Sequence, residues 1–353
     1  MTARLSRRTG LEIELMAPAG LSRHSLALDL ADRCGGRVQR VWHRDSEPSM
    51  VPGLGRFLHL TQGFEVLRAD GTLLCTLVDD VTLLDGLDVR APAPPGWFRL
   101  LSDDPRLLSL LARHSDPAGD LPSALTATAA LWGAPVQRFG DIHRLNDPTG
   151  ATIALAAPQG GERERPCEIV TPPLSAGHAA ALEELLAPAR ELGFTVPTEA
   201  AVHLHLDGGP FRAPRALANV ILLFAHWREP LRALLQTNPA CRRLAPLPAP
   251  LVAAASGNPS YEDLQKAAAD GGLTKWFDVN LTQLLKPDPL RDTIEIRILP
   301  GMIETDDIMN RAGLVELLLE RCLRPEPFPA PPADPRAAVD ELLALAAEAL
   351  AAR

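Results

Sequence analysis

The segment Thr9-Gly-Leu-Glu-Ile-Glu-Leu15 decides the fold, because its acidic and aliphatic side chains alternate as they do on a half-buried β-strand. Successive side chains on a strand point to opposite faces. Glu12 and Glu14 therefore share one face, while the aliphatic side chains between them fill the other. The segment predicts a sheet with one apolar face and one face that carries carboxylates.

Three later segments show the same alternation: Cys167-Glu-Ile-Val-Thr171, Val202-His-Leu-His-Leu-Asp207 and Thr293-Ile-Glu-Ile-Arg-Ile298. By the same rule His203 and His205 share one strand face, and Glu295 and Arg297 share another. A sheet built from these strands has one apolar face and one face lined with carboxylates, imidazoles and a guanidinium group.

This clustering of acids predicts a bound metal ion as the counter-charge. Burying a carboxylate in a cleft is costly unless an opposite charge is present. Mostly carboxylate ligands with a minority of imidazole favour Mg²⁺ or Mn²⁺, whereas structural zinc prefers Cys and His at close spacing. The chain contains no CxxC pair and no HExxH motif.

Each of these patterns also has an ordinary structural interpretation. A single Glu-x-Glu strand is typical of a solvated sheet face, and a single His-x-His strand of surface or hydrogen-bonded histidines. A single Glu-Ile-Arg strand is typical of a salt bridge on a sheet. The occurrence of all these strands in one chain favours the metal-binding cleft.

The order of the motifs resembles a known family. The motifs are Gly10-Leu-Glu-Ile-Glu14, Cys167-Glu-Ile-Val-Thr-Pro-Pro-Leu174, Val202-His-Leu-His-Leu-Asp207, Asp278-Val-Asn-Leu281, Thr293-Ile-Glu-Ile-Arg297 and Pro300-Gly301. In this order they resemble those of the amidoligases, carboxylate–amine ligases related to glutamine synthetase and glutamate–cysteine ligase. The resemblance extends from about residue 9 to about residue 325.

The resemblance implies two metal sites that hold Mg²⁺ or Mn²⁺. Glu12, His203 and Glu295 would hold one ion, and Glu14 and Glu168 would hold the second. Glutamine synthetase brings a pair of glutamates on its middle strand, whereas this chain offers Glu168 alone there. The second site is therefore supported by fewer residues than the first.

The resemblance also implies residues that act on ATP. Arg297 would act on the transferring phosphoryl group, His205 would lie near the nucleotide phosphates, and Asn280 would contact substrate or phosphate. Further cations that could neutralise phosphate charge, or could be solvated surface charges, are Arg212, Arg215, Arg242, Arg243 and Lys275. Arg243 and Lys275 are the expected cofactor contacts among them. The adenine pocket has no recognisable signature.

The predicted function is an ATP-dependent ligase that joins a small-molecule or peptide carboxylate to an amine. A carboxylate does not condense with an amine at neutral pH, so ATP would first convert it to an acyl phosphate, which the amine attacks. ADP and phosphate would be released, and metal ions and arginine would neutralise the phosphate charge. A metal-dependent amide hydrolase using the same Glu/His cluster without ATP and a catalytically inactive binding module are the alternatives.

Composition indicates which binding partners are disfavoured and which cellular compartment is expected. The 353 residues carry a net charge of −9, which argues against non-specific binding to nucleic acid or an anionic membrane. The five cysteines are scattered and odd in number, which suits a reducing compartment. The N-terminal residues lack an apolar signal segment, so we expect a cytoplasmic protein.

The expected fold class is α+β. The resemblance implies a glutamine-synthetase-like curved, largely antiparallel sheet, with helices on its convex face and a polar concave face that binds metal and ATP. Residues 1–325 would form the catalytic domain, with a hairpin-containing embellishment at about 37–100. Residues 326–353 would be a Pro-rich linker and an amphipathic helix that docks on the body or contacts an oligomer or partner. The pattern further predicts one long helix over 213–236 and a loop over 245–258.

Overall fold

The computed structural model describes residues 4–44, 49–51, 55–241 and 243–352, apart from the side chains at 49–51 and 55–56. The strands are β1 Thr9–Met16, β2 Arg37–Arg44, β3 Ser49–Val51, β4 Gly55–Leu67, β5 Leu73–Val78, β6 Phe98–Ser102, β7 Val136–Phe139, β8 Ile142–Asn146, β9 Thr152–Pro158, β10 Pro166–Val170, β11 Ala201–Asp207, β12 Val279–Asn280 and β13 Thr293–Pro300. The helices are α1 Arg23–Arg33, α2 Pro105–His114, α3 Thr126–Trp132, α4 His178–Glu191, α5 Pro214–His226, α6 Arg228–Leu235, α7 Ala249–Ala255, α8 Tyr261–Asp270, α9 Thr282–Leu285, α10 Thr305–Cys322 and α11 Pro335–Ala351. This mixture of helices and antiparallel strands confirms the α+β class.

The chain divides into two compact units. The described residues of the first fall within 1–13, 171–187 and 198–353, and those of the second within 14–170 and 188–197. The chain passes from the first unit to the second inside β1, between the two glutamates of the opening motif. All the other polar strands except β10 belong to the first unit.

The sheet of the first unit has the strand order β12, β13, β11, β1, and its pairings are antiparallel. One face is apolar, as the alternation predicts: Leu11 and Ile13 of β1 are 1% and 0% exposed, and Leu204 of β11 and Ile296 of β13 are also buried. The middle of α5, residues 216–224, is buried as well. The opposite face of these strands therefore carries the polar side chains.

The second unit contains the predicted hairpin. Its strands run in the order β10, β5, β4, β6, β9, β8, β7, and β2 and β3 also pair with β4. Strands β4 and β5 join at Asp70-Gly71, where Gly71 adopts the left-handed φ of 84° that the turn requires. Buried Leu60, Phe98 and Leu108 belong to one apolar cluster, in which β4 and β6 pack against α2.

The segment before β1 is fixed to α10. Glu316 is fully buried in that helix, and its carboxylate accepts hydrogen bonds from the backbone N–H groups of Ser6 and Arg7. The Ser6 hydroxyl donates a further bond of 2.7 Å to the same carboxylate. The Arg7 guanidinium pairs with Glu320 one turn later. These contacts hold the chain where it enters β1.

The predicted single helix over 213–236 is wrong, because the structure breaks it at Trp227. That residue leaves the helical conformation, and Pro230 in the first turn of α6 has no N–H to donate to a preceding carbonyl. Trp227 is fully buried, and its indole N–H donates to the carbonyl of Pro329 at 2.7 Å. Tertiary packing of the indole therefore sets the boundary between α5 and α6.

The loop predicted over 245–258 is also wrong in part, since α7 forms inside it. Pro250 lies in the first turn of α7, where the missing N–H has no partner to lose and the fixed φ favours the helix. Proline thus starts a short helix here instead of preventing one.

The C-terminal helix packs against other helices of the first unit. Helix α11 contacts α6 and α10, and its apolar stripe is buried: Ala338, Leu342, Leu345, Ala346 and Ala349. The linker before it is anchored by the fully buried Asn219, whose amide donates to the carbonyls of Cys322 and Glu326 and accepts from the N–H of Phe328. The apolar stripe of α11 is therefore buried within the chain itself. A contact of α11 with an oligomer or a partner stays a prediction.

No helix among the described residues combines the length and the apolar character needed to cross a bilayer.

The docking of α11 predicts a contrast between two adjacent leucines. Leu342 is 0% exposed and Leu343 is 45% exposed. Leu342→Ala should lower the free energy of unfolding by about 2–5 kcal/mol, because it opens a cavity under the helix. Leu343→Ala should change it by less than about 0.5 kcal/mol. Urea denaturation followed by circular dichroism measures both, and equal effects would mean that α11 does not pack as described.

Candidate functional site

One carboxylate lies between two imidazoles in the first unit. The register of β1 and β11 places Glu12 opposite His203. Nδ1 of His203 lies 3.1 Å from Oε2 of Glu12, and Nε2 of His205 lies 3.0 Å from Oε1. The first contact is a hydrogen bond, whereas the second has an ion-pair distance without the angle of a hydrogen bond. Both oxygens of Glu12 are therefore engaged by one strand.

A second carboxylate adjoins this group from β13. Glu295 lies opposite His205 in the sheet register, and its Oε1 is 3.9 Å from Nδ1 of His203. The guanidinium of Arg297, two residues further on the same face, pairs with the same oxygen. The sequence prediction that Glu295 and Arg297 share a face with the histidines agrees with this placement.

Asn280 fixes the other oxygen of Glu295. Its Nδ2 donates to Oε2 of Glu295 at 2.6 Å, while its Oδ1 accepts from the backbone N–H and the hydroxyl of Thr282. The two bonds from Thr282 orient the amide so that its N–H₂ faces the carboxylate. In the structure Asn280 thus orients Glu295, a role that the sequence motif did not reveal.

The electrostatics of the cluster hold both carboxylates in their charged form. Burial alone would raise the pKa of Glu12, but His205 and His203 outweigh it, and the pKa lies well below its usual value. Burial likewise opposes ionisation of Glu295, whose pKa is nevertheless lowered by His203, His205 and Arg297. Burial would lower the pKa of His205, yet Glu12 and Glu295 raise it. The carboxylates and the imidazolium of His205 therefore stabilise one another.

The cluster fits a divalent cation. Glu12, His205 and Glu295 each offer a ligand atom, and these atoms lie within 4.8 Å of one another. Metal–oxygen and metal–nitrogen bonds of about 2.0–2.6 Å allow one ion to reach all three atoms. The Nε2 of His205 is buried and lies 3.0 Å from Oε1 of Glu12 without a well-aligned hydrogen bond, and loss of its proton would free this nitrogen to bind a metal.

The structure brings only some of the predicted metal ligands together. The imidazole in the converging trio is that of His205, whereas the sequence assigned this role to His203, which bonds to Glu12. A strand puts both histidines on one face, so their spacing could not separate the two roles. The second predicted pair belongs to the second unit: Glu14 is buried on β1, and Glu168 is half-buried on β10 opposite Val78.

Three cationic groups surround one indole that the sequence analysis did not single out. Lys275 Nζ lies 4.3 Å from the ring centre of Trp276, and the guanidinium carbons of Arg243 and Arg297 lie 4.8 and 5.8 Å from it. Two unit charges about 10 Å apart repel by roughly 1–2 kcal/mol at an effective dielectric of about 20. A cation–π contact is stabilising by about 0.5–2 kcal/mol. The indole thus offsets part of the repulsion, and the carboxylate of Glu295 pairs with one of the three cations, Arg297.

The other predicted cations are placed apart from this group or outside the description. Arg212 pairs with Asp292 at 2.9 Å on the surface, and Arg215 donates to the side chain of Asn258. Both contacts match the surface-charge interpretation. Arg242 lies outside the described residues.

A buried acid missed by the sequence analysis supports the backbone of Arg297. Asp278 is 1% exposed and pairs with Arg228 and Arg232 of α6 at 2.6 and 3.1 Å. Burial raises the pKa of Asp278 despite both arginines. Its carbonyl accepts the N–H of Arg297 at 3.1 Å. Asp278 belongs to the Asp278-Val-Asn-Leu281 motif, but the motif does not reveal that its carboxylate pairs with two arginines.

A family described as "Putative amidoligase enzyme" matches residues 5–319, which is most of the chain. The chain belongs to this family. The matched range contains every residue of the Glu12–Glu295 cluster and Trp276, and it confirms the resemblance drawn from the ordered motifs. No curated protein and no solved structure matches the chain.

The electrostatic coupling predicts how the pKa of His205 responds to Glu12→Gln. In metal-free protein the carboxylate opposes burial, so its removal should lower the pKa of His205. NMR titration of the imidazole Cε1–H resonances measures the change, with His205→Gln as the assignment control. Glu326→Gln alters an exposed carboxylate and should leave the pKa unchanged. A higher pKa in Glu12→Gln would contradict the coupling.

Proposed function

We propose that this amidoligase family member is an ATP-dependent carboxylate–amine ligase that forms an amide or isopeptide bond through an acyl phosphate. The observation that carries the proposal is the convergence of Glu12, His205 and Glu295 beside the guanidinium of Arg297. Family membership supports a ligase in general. In support of it, three ligand atoms that one hard cation could reach lie next to a fixed positive donor, a combination that suits phosphate chemistry.

Glu12, Glu295 and one histidine would hold Mg²⁺ or Mn²⁺. We assign the histidine as His205, because its Nε2 lies in the converging trio, and we assign His203 to orienting Glu12. The ion, when bound, would neutralise charge on phosphate oxygens. Glu14 and Glu168 stay candidates for a second ion.

The residues of the chain would then position the two substrates for successive displacements. A carboxylate oxygen of the acid attacks the γ-phosphorus of ATP and ADP leaves; the amine nitrogen then attacks the acyl carbon and phosphate leaves. Arg297 would stabilise charge on the transferring phosphoryl group. Its side chain is 11% exposed, and its Nε is a buried donor that has no hydrogen-bond partner within the described part of the chain.

Two broader expectations accompany the proposal. The alternation of buried aliphatic and polar residues on β1, β11 and β13 supports a sheet with one polar face that holds the site; its likeness to the glutamine synthetase sheet stays part of the proposal. We further propose a cytoplasmic setting, because five scattered cysteines are typical of a reducing compartment.

Release of ADP should require ATP, a divalent cation, an acid and an amine together. A screen of carboxylates against ammonia, amino acids and polyamines measures this release. Oxygen-18 placed in the substrate carboxylate should appear in the released phosphate, because that oxygen forms the bond to phosphorus. Amide cleavage without ATP would indicate the hydrolase, and release of AMP with pyrophosphate would indicate an acyl adenylate instead.

Arg297→Lys separates a phosphate contact from an ordinary salt bridge. A surface Glu–Arg pair contributes about 0.2–1 kcal/mol, and lysine could replace it at little cost. A guanidinium that donates two parallel bonds to a phosphoryl group cannot be replaced by an ammonium point charge. We therefore expect kcat to fall about 100-fold or more, with little change in melting temperature. Near-normal kcat would leave Arg297 with a structural role only.

A further inference from the structure

Three separate segments deliver the cations that surround Trp276. Arg243 comes from the segment after α6, Lys275 immediately precedes Trp276, and Arg297 comes from β13. Each cationic centre lies between 4.3 and 5.8 Å from the ring centre. Three segments of the chain thus bring cationic groups to one indole, and one of these cations, Arg297, also pairs with Glu295.

The backbone holds two of these segments together. The N–H of Ala245 donates to the carbonyl of Trp276, and the N–H of Asp278 donates to the carbonyl of Ala245, both at 3.1 Å. Arg243, two residues before Ala245, has a φ of 73°, a left-handed conformation that a residue with a side chain adopts at a cost. The segment that carries Arg243 thus has a left-handed backbone conformation two residues before its hydrogen bonds to the Trp276 segment.

We propose that Trp276 is a positioning residue that holds Arg243, Lys275 and Arg297 as one subsite for a phosphate chain. The inference rests on the proposed function and adds a residue that no sequence motif assigned. Three cations match the several charges of a phosphate chain better than the single charge of a carboxylate. Arg297 connects the two features, because it contacts both Trp276 and Glu295.

The test uses the full chain and inorganic tripolyphosphate, which has the phosphate chain without nucleoside or acid. Calorimetry should show binding about tenfold weaker in Trp276→Leu, and a smaller loss in Trp276→Phe, which keeps a weaker aromatic face. Tryptophan fluorescence should respond to tripolyphosphate in wild type and lose that response in Trp276→Phe. Trp132→Phe, at a site 42% exposed in the second unit, should keep both the affinity and the response.

A double-mutant cycle keeps the proposal falsifiable even if Trp276→Leu folds poorly. Lys275→Gln should weaken tripolyphosphate binding in wild type, and it should weaken it less in Trp276→Phe, because the indole no longer holds the ammonium in place. Additive effects would mean that Trp276 does not position Lys275, and the proposal would be wrong.

Two further outcomes distinguish a phosphate ligand from an acid ligand, and the subsite proposal from the ligase proposal. If Trp276→Leu leaves tripolyphosphate binding intact but weakens binding of glutarate, the subsite serves an acid substrate and the phosphate assignment is overturned. If tripolyphosphate binding depends on Trp276 as expected, while no pair of acid and amine consumes ATP, the subsite stands and the ligase proposal fails.

Discussion

The charge balance around Glu12 is the interaction on which the site depends. A partly buried carboxylate loses part of its hydration, and close opposite charges offset that loss. His205 supplies such a charge from a neighbouring strand, and His203 of the same strand bonds to the Glu12 carboxylate. The second carboxylate, Glu295, joins the group from β13. Because all the groups are held by the register of three strands, the apolar packing beneath the sheet and the chemistry above it are fixed by one set of backbone hydrogen bonds.

Much of this arrangement could be predicted from the sequence, because strand alternation is a local property. The faces shared by His203 and His205 and by Glu295 and Arg297 follow from a period of two residues. Alternation does not give register, since it cannot tell which residues of separate strands lie opposite each other. The choice of His205 over His203 for the converging trio depends on register, and so it emerged only from the structure.

The parts that escaped prediction depend on contacts between segments distant in sequence. Trp276 belongs to none of the recognised motifs. The three cationic side chains near its ring come from three regions of the chain. The boundary at Trp227 arises because its indole bonds to the carbonyl of Pro329, a contact across about a hundred residues. Asp278 stood within a recognised motif, yet its pairing with α6 depends on how that helix packs.

The anchoring of Ser6 and Arg7 by Glu316 bears on which changes of length the protein can tolerate during evolution. The anchor fixes one end of a short segment, and the pairing of Glu12 with His203 fixes the other. One inserted or deleted residue between them would either break the anchor or turn Glu12 toward the apolar face and Leu11 toward the polar one. Length variation among functional relatives should therefore be excluded from this segment and be found in the surface loops instead.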